Sequence, residues 1–125
     1  MDTKKVIREF FHHFEKMDVE AMLPLTAPHA MAISPTLGKK EIKSHYQELF
    51  SKSKRIKIVI KDIFINPDNP LRAAAFFSWG WESKHGVILT FDIVIIFEMN
   101  AQGKIQEIQI IYDAQAAREA FRKEG

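Results

Sequence analysis

The chain contains no cysteine, which excludes disulfides and thiolate metal sites outright. It also lacks an excess of either charge, with eighteen Lys and Arg against sixteen Asp and Glu for a net +2. Nucleic-acid binding needs a basic face that releases counterions, and so even a balance does not supply one. The basic residues are scattered, apart from Lys52, Lys54, Arg55 and Lys57, which read as a solvated helix end and strand edge. Long apolar runs are missing too: the longest, around residues 93–97, falls far short of the roughly 20 residues of a membrane span. Residues 1–16 interleave charges with apolar side chains, unlike a signal peptide, so the expected compartment is the cytoplasm. No two histidines sit three or four residues apart as a helical zinc motif needs, and phosphate loops and nucleophile elbows are absent. Neither a metal nor a cofactor is expected.

What is present is an ordinary globular mix, 46% hydrophobic and 27% charged over 125 residues, enough for one domain spanning 1–125 around one core. Over residues 6–17, Val6, Ile7, Phe10, Phe11, Phe14 and Met17 recur at helical spacing, with Arg8, His12, Glu15 and Lys16 on the other side. Asp18 can cap a second short helix reaching Leu23, where Pro24 and Pro28 prevent extension. Residues 29–34 read as a short strand ended by Pro35. Gly38 opens a third helix over about 40–52, with Ile42, His45, Tyr46, Leu49 and Phe50 as its buried stripe.

Beyond that helix the period changes from 3.6 to 2. Strands are predicted over 55–65, 71–83, 87–99 and 104–113, and a terminal helix over 114–123. After Asp62 the apolar phase flips to Ile63 and Ile65, which predicts a bulge and a bend. Asn66-Pro67-Asp68-Asn69-Pro70 is a turn by composition, and Asn100-Ala101-Gln102-Gly103 a hairpin whose glycine supplies the positive φ. Three helices followed by four sequential strands define an α+β domain with an antiparallel meander.

Alternation sorts the sheet into two faces. Leu71, Ala73, Ala75, Phe77, Trp79 and Trp81, with Val87, Leu89, Phe91, Ile93, Ile95 and Phe97, form an apolar inner face. The opposite face is half apolar, richer than a solvated antiparallel face should be. Phe76, Val94, Ile96 and Ile111 would make a patch there of the kind that marks a partner surface, and self-association is the simplest explanation. Trp79 and Trp81, gathered with Phe91, Phe97 and Phe10, either line a cavity or fill a solid core, since an indole N–H wants a partner wherever it is buried.

This order of elements resembles the NTF2-like superfamily, and within it the SnoaL-like and ketosteroid-isomerase-like proteins. The resemblance is carried by the Phe-rich first helix ending in Met17-Asp18-Val19-Glu20, by Pro35-Thr36-Leu37-Gly38, and by residues 97–105 running on to Ile111-Tyr112-Asp113. It implies a cone-shaped fold, helices packed on a curved sheet, a deep apolar pocket, and frequent homodimers through the outer face. Ketosteroid isomerase itself uses a carboxylate base, a tyrosine and a protonated aspartic acid. By ungapped alignment on Asp18 and Gly103-Lys104 those positions fall on Ser34, Phe10 and Ile95 respectively. A lone serine cannot take an α-proton, and neither phenylalanine nor isoleucine can stabilise an enolate, so that chemistry is not expected.

Other family members resemble cyclases and dehydratases that use histidine and aspartate in the pocket. The candidates here are His13, His29, His45, Tyr46, Tyr112 and Asp113. His12 lies opposite the apolar stripe and His85 in a turn. His13 flanks the stripe, and His45 and Tyr46 sit on a buried stripe where packing is the plainer role. His29 is placed at the mouth of the expected pocket, as a turn residue or a proton shuttle. Asp113 points away from Ile108, Ile110 and Tyr112 and more plainly caps the terminal helix.

Three readings stay open. The first is a dimeric protein that binds a small apolar or aromatic molecule in a pocket lined by Phe10, Phe14, Trp79, Trp81, Phe91, Ile95, Phe97, Ile110 and Tyr112, with Ser34 a polar contact. The second is a cofactor-free isomerase, dehydratase or cyclase with His29, Tyr46 or Tyr112 as proton carriers. The third is a dimerisation or protein-interaction module with a filled core. A drug-sized ligand calls for a cavity of roughly 300 Å³ or more, and catalysis for an ionisable group facing it.

Overall fold

A computed structural model describes residues 2–124. The first helix, α1 (Thr3–Glu15), starts where Asp2 accepts a hydrogen bond from the Lys5 amide, and it buries Ile7, Phe10, Phe11 and Phe14. Asp18 caps α2 (Val19–Met22) by accepting from the Ala21 amide at 3.1 Å. Pro24 then tightens the chain into a single 3₁₀ turn, Leu23–Leu25. Next come β1 (Thr26–Ser34), β2 (Gly38–Glu41) and α3 (Ile42–Ser51). The long strands β3 (Ser53–Ile65), β4 (Arg72–Ser83), β5 (Ile88–Met99) and β6 (Ile105–Ile111) follow, and α4 (Ala114–Glu124) ends the fold.

The six strands form one curved, unclosed sheet in the order β2-β1-β6-β5-β4-β3. Strands β3 to β6 are the expected antiparallel meander, but β1 runs parallel to β6, which makes the sheet mixed. The helices pack on its inner face, giving the α+β cone of the NTF2-like type. The bend in β3 lies where the phase flip placed it, as a register shift between Ile60 and Asp62. The hairpin at 100–103 has Gly103 at φ +80°, with the Asn100 side chain accepting from the amides of Gln102 and Lys104.

The third helix starts later than its sequence suggests. Residues 38–41 are extended because they fold back on β1, pairing Gly38 with Ser34 and Glu41 with Met31. Gly38 makes that reversal at φ +75°, so ladder hydrogen bonds win over the helical pattern until Ile42. Strand β1 likewise begins earlier than residue 29, at Thr26. His29 sits in its irregular stretch at φ +58°, where the register to β6 shifts.

The core is aromatic. Phe10 meets Phe11, Phe14, Tyr46 and Phe97 edge-on, with centroids 5.5–6.2 Å apart, the geometry the ring quadrupole favours. Phe77 and Phe97 are fully buried from the sheet side. Edge strand β3 is partly covered by α1, whose Glu15 accepts from the Ile58 amide at 2.7 Å and so occupies one otherwise free edge donor. Among the described residues no helix is long and apolar enough to cross a membrane.

Candidate functional site

A cavity of about 40 Å³ lies between α3, the inner face of β4, β5 and β6, and the turn joining β1 to β2. That is room for about three waters at roughly 10–15 Å³ each, well below the roughly 300 Å³ of a drug-sized site. Its walls are Phe14, Leu49, Phe77, Trp79, Ile93, Ile95 and Ile110, all buried, with Ser34, His45 and Tyr46 among them. Thr36, Leu37, Phe91 and Tyr112 also line it but keep part of their surface in solvent, which locates the mouth.

Hydroxyls bridge one side of the mouth. Thr36 Oγ1 and Tyr112 Oη are 2.6 Å apart, and Ser34 Oγ lies 3.2 Å from Thr36 Oγ1. The same Ser34 oxygen accepts from the amides of Thr36 and Leu37. This serine therefore holds the turn in shape and is not poised as a base. The Phe91 and Tyr112 rings close the other side with centroids 5.1 Å apart. Helix α4, which Asp113 caps through the Gln115 amide, reaches back with Arg118 to the Pro35 carbonyl at 3.0 Å.

The inner wall is unlike the mouth. His45 Nδ1, Tyr46 Oη and Trp79 Nε1 are buried and have no hydrogen-bond partner among the described residues, and each belongs to a residue lining the cavity. Buried polar groups are nearly always paired, so three unpaired atoms on residues that line one void mark it as the candidate site. Burial, reinforced by the Lys40 charge and opposed by Glu48, lowers His45 to about 4, so its imidazole is neutral at pH 7. Burial pushes the Tyr46 phenol well above its usual value, so it stays protonated and able to donate.

Of the residues the sequence proposed for the pocket, Phe14, Ser34, Trp79, Phe91, Ile95, Ile110 and Tyr112 do line this cavity. Phe10, Trp81 and Phe97 do not. Phe10 and Phe97 close the core beneath it, and Trp81 is anchored beside α3, donating Nε1–H to Ser53 Oγ at 2.7 Å. His29 is also not at the mouth: its side chain is 86% exposed and lies 3.2 Å from Glu41 on the surface. Tyr46 and Tyr112 line the cavity, at the inner wall and the mouth. Sequence reasoning passed over Thr36, Leu37, Leu49, Phe77 and Ile93 as lining residues and took His45 as packing. The turn residues belong to the Pro35-Thr36-Leu37-Gly38 stretch that carries the resemblance, a signal that could have found them. Among the described residues no cluster of three His, Asp or Glu could hold a metal.

On the outer face, Phe76 pairs with Val94 and Val94 with Ile111, one apolar row across three strands, with Ile96 beside it. Ile111 is 45% exposed and the others are half-buried. Ion pairs Lys61–Asp92 and Arg72–Glu98 flank the row.

Comparison with known proteins places the chain among relatives. The SnoaL-like domain family matches residues 7–108. No curated protein matches the chain. Similar solved structures include TerC co-crystallised with polyporic acid, with TM-score 0.79, 20% identity, 96% of this chain and 98% of that one covered. A Mycobacterium tuberculosis protein in complex with estradiol-17β-hemisuccinate matches with TM-score 0.75, 15% identity, and 89% and 93% covered. A putative polyketide cyclase from Pseudomonas putida matches with TM-score 0.74, 17% identity, and 95% and 97% covered.

Proposed function

The chain belongs to the SnoaL-like domain family, and from that premise we propose that it binds a small, largely apolar molecule in the cone, without ketosteroid-isomerase chemistry. One observation carries the reading: three buried polar atoms without partners among the described residues, on residues that line a largely apolar void. The similar folds holding polyporic acid or estradiol-17β-hemisuccinate add weight to it. At about 40 Å³ the cavity is too small for such a guest, so on this reading binding widens the mouth by parting Thr36 from Tyr112. Phe10 and Ser34, where an isomerase would carry its tyrosine and base, are occupied in packing and in holding a turn.

Native mass spectrometry of the purified protein, with extraction of anything carried along, tests this directly. Added mass from a small apolar molecule is the expected result. Bare protein, even after soaking with aromatic ligands, would leave the interaction-module reading in its place. The same spectrum tests a homodimer formed through the row Phe76, Val94 and Ile111, and Val94→Glu should then return a monomer.

A catalytic reading has one observation in its favour, the neutral His45 imidazole in the cavity wall. Its low basicity argues against it, because a general base works best with a pKa near the operating pH. Deuterium exchange into the α-position of a bound ketone in D₂O tests the isomerase form of this reading. A rate no faster than in buffer would remove that form.

A further inference from the structure

Strands β1 and β6 run parallel, with Ile33 opposite Gln109, so they leave the sheet side by side at the same end. From there β1 enters the turn at 35–37, and β6 passes through Tyr112 and Asp113 into α4. Thr36, Leu37 and Tyr112 belong to the cavity mouth. Two side-chain bonds join the two segments. Thr36 Oγ1 and Tyr112 Oη are 2.6 Å apart, and Arg118, one turn into α4, donates from Nη2 to the Pro35 carbonyl at 3.0 Å. In α4 Ala117 is fully buried, whereas Gln115, Ala116, Arg118 and Glu119 are exposed.

The Pro35 carbonyl and the Thr36 amide belong to one peptide plane, which moves as a rigid unit. Arg118 holds the oxygen of that plane, and Ser34 Oγ accepts from its N–H at 3.2 Å. Thr36 therefore cannot part from Tyr112 without pulling the Pro35 carbonyl away from Arg118. The bond carries a charged donor, which makes it stronger than one between neutral groups.

We propose that Arg118 is an autoinhibitory latch, holding the β1–β2 turn against α4 and keeping the mouth narrow while the cavity is empty. The proposal rests on the pocket reading above, in which a guest parts Thr36 from Tyr112, and adds what resists that parting. The latch breaks before the guest is seated and stays broken while it is bound. It therefore slows entry and weakens binding by the same factor, and leaves release nearly unchanged.

N-phenyl-1-naphthylamine, a neutral apolar dye, reports entry by energy transfer from the protein's two tryptophans. Stopped-flow mixing with wild type, Arg118→Ala and Arg118→Lys gives both rate constants. Hydrogen exchange of the Thr36 amide in the dye-free proteins reads the turn itself. Arg118→Ala should bind the dye about tenfold faster and tighter, with release within about twofold of wild type. Its Thr36 amide should exchange about tenfold faster. Arg118→Lys keeps a cationic donor and should stay close to wild type. Weaker binding by Arg118→Ala overturns the latch, because a residue that only supported the fold would act that way. Equal rates and affinities in wild type and Arg118→Ala, or an unchanged Thr36 exchange rate, also overturn it and leave the pocket standing. If the dye binds neither protein, the pocket reading falls and the latch has no entry to guard.

Discussion

Trp81 and Trp79 are two residues apart on the same face of the same strand, and their rings stack with centroids 5.7 Å apart. Both are almost fully buried. Trp81 belongs to the part of the cone that is finished: its N–H reaches Ser53, and Ser53 in turn donates to the Leu49 carbonyl at 2.6 Å. Trp79 faces the part that is not, with an unpartnered N–H beside a void shared with His45 and Tyr46. The pair shows that burial alone does not separate a residue of the solid core from one that lines a cavity. What separates them is whether the polar atom, once removed from water, has been given another partner, because an unmade buried hydrogen bond costs about 1–3 kcal/mol.

The contrast can be broken in several ways. Phe97→Ala, in the closed core, should lose about 3–5 kcal/mol of unfolding free energy by chemical denaturation. A loss under about 2 kcal/mol would mean that this half is looser than it looks. Acid should act through the other half. The folded His45 pKa of about 4 lies below its ordinary 6.5, so the unfolded chain takes up a proton first as pH falls. Stability is then whole above about 6.5 and drains away between there and 4, by up to about 3 kcal/mol at roughly 1.4 kcal/mol per unit. Glu48, held low first by its hydrogen bond from Lys40, pulls in the same direction at more acidic pH. His45→Gln should flatten the higher part of the profile, and an unchanged profile would remove His45 from the account.

Substituting the tryptophans one at a time sharpens the comparison further. Trp81→Phe removes the bond that Ser53 Oγ accepts and should cost about 2 kcal/mol, whereas Trp79→Phe discards a donor unsatisfied among the described residues and should cost about 1 kcal/mol or less. Equal losses would mean that the two environments do not differ. Smallest is Tyr46→Phe, which should stabilise the empty protein by about 1 kcal/mol, a rise of a few degrees in Tm. A loss of stability there would show that the hydroxyl has a partner after all.

Much of the architecture was legible because it is written in short-range periodicity. The stripe of Ile7, Phe10, Phe11 and Phe14 could bury itself only as a helix, and the phase flip after Asp62 could be accommodated only by a bulge. The boundary at 38–41 was not legible, because it depends on β1 lying alongside to supply ladder partners. Nor was the parallel contact of β1 with β6, which joins segments some eighty residues apart. The candidate site was half legible. Alternation brought Trp79, Ile95 and Ile110 to the inner face, but it could not say that Phe10, Trp81 and Phe97 pack away from the void while Phe77 and Ile93 border it. His29 and His45 traded places for the same reason. A histidine on a buried stripe looks like packing, and one beside prolines looks like a loop, until the neighbouring elements decide which of them meets empty space.

The sequence by itself therefore determined most of the helices and strands and the two faces of the sheet, since amphipathic period and turn chemistry act within a few residues, while the cone came from the resemblance to the SnoaL-like family. Only the tertiary structure decided where the cone is filled and where it is hollow, and which polar atoms were left without partners. Those depend on how side chains from α3, β4 and the β1–β2 turn happen to meet, and no local pattern carries that sum.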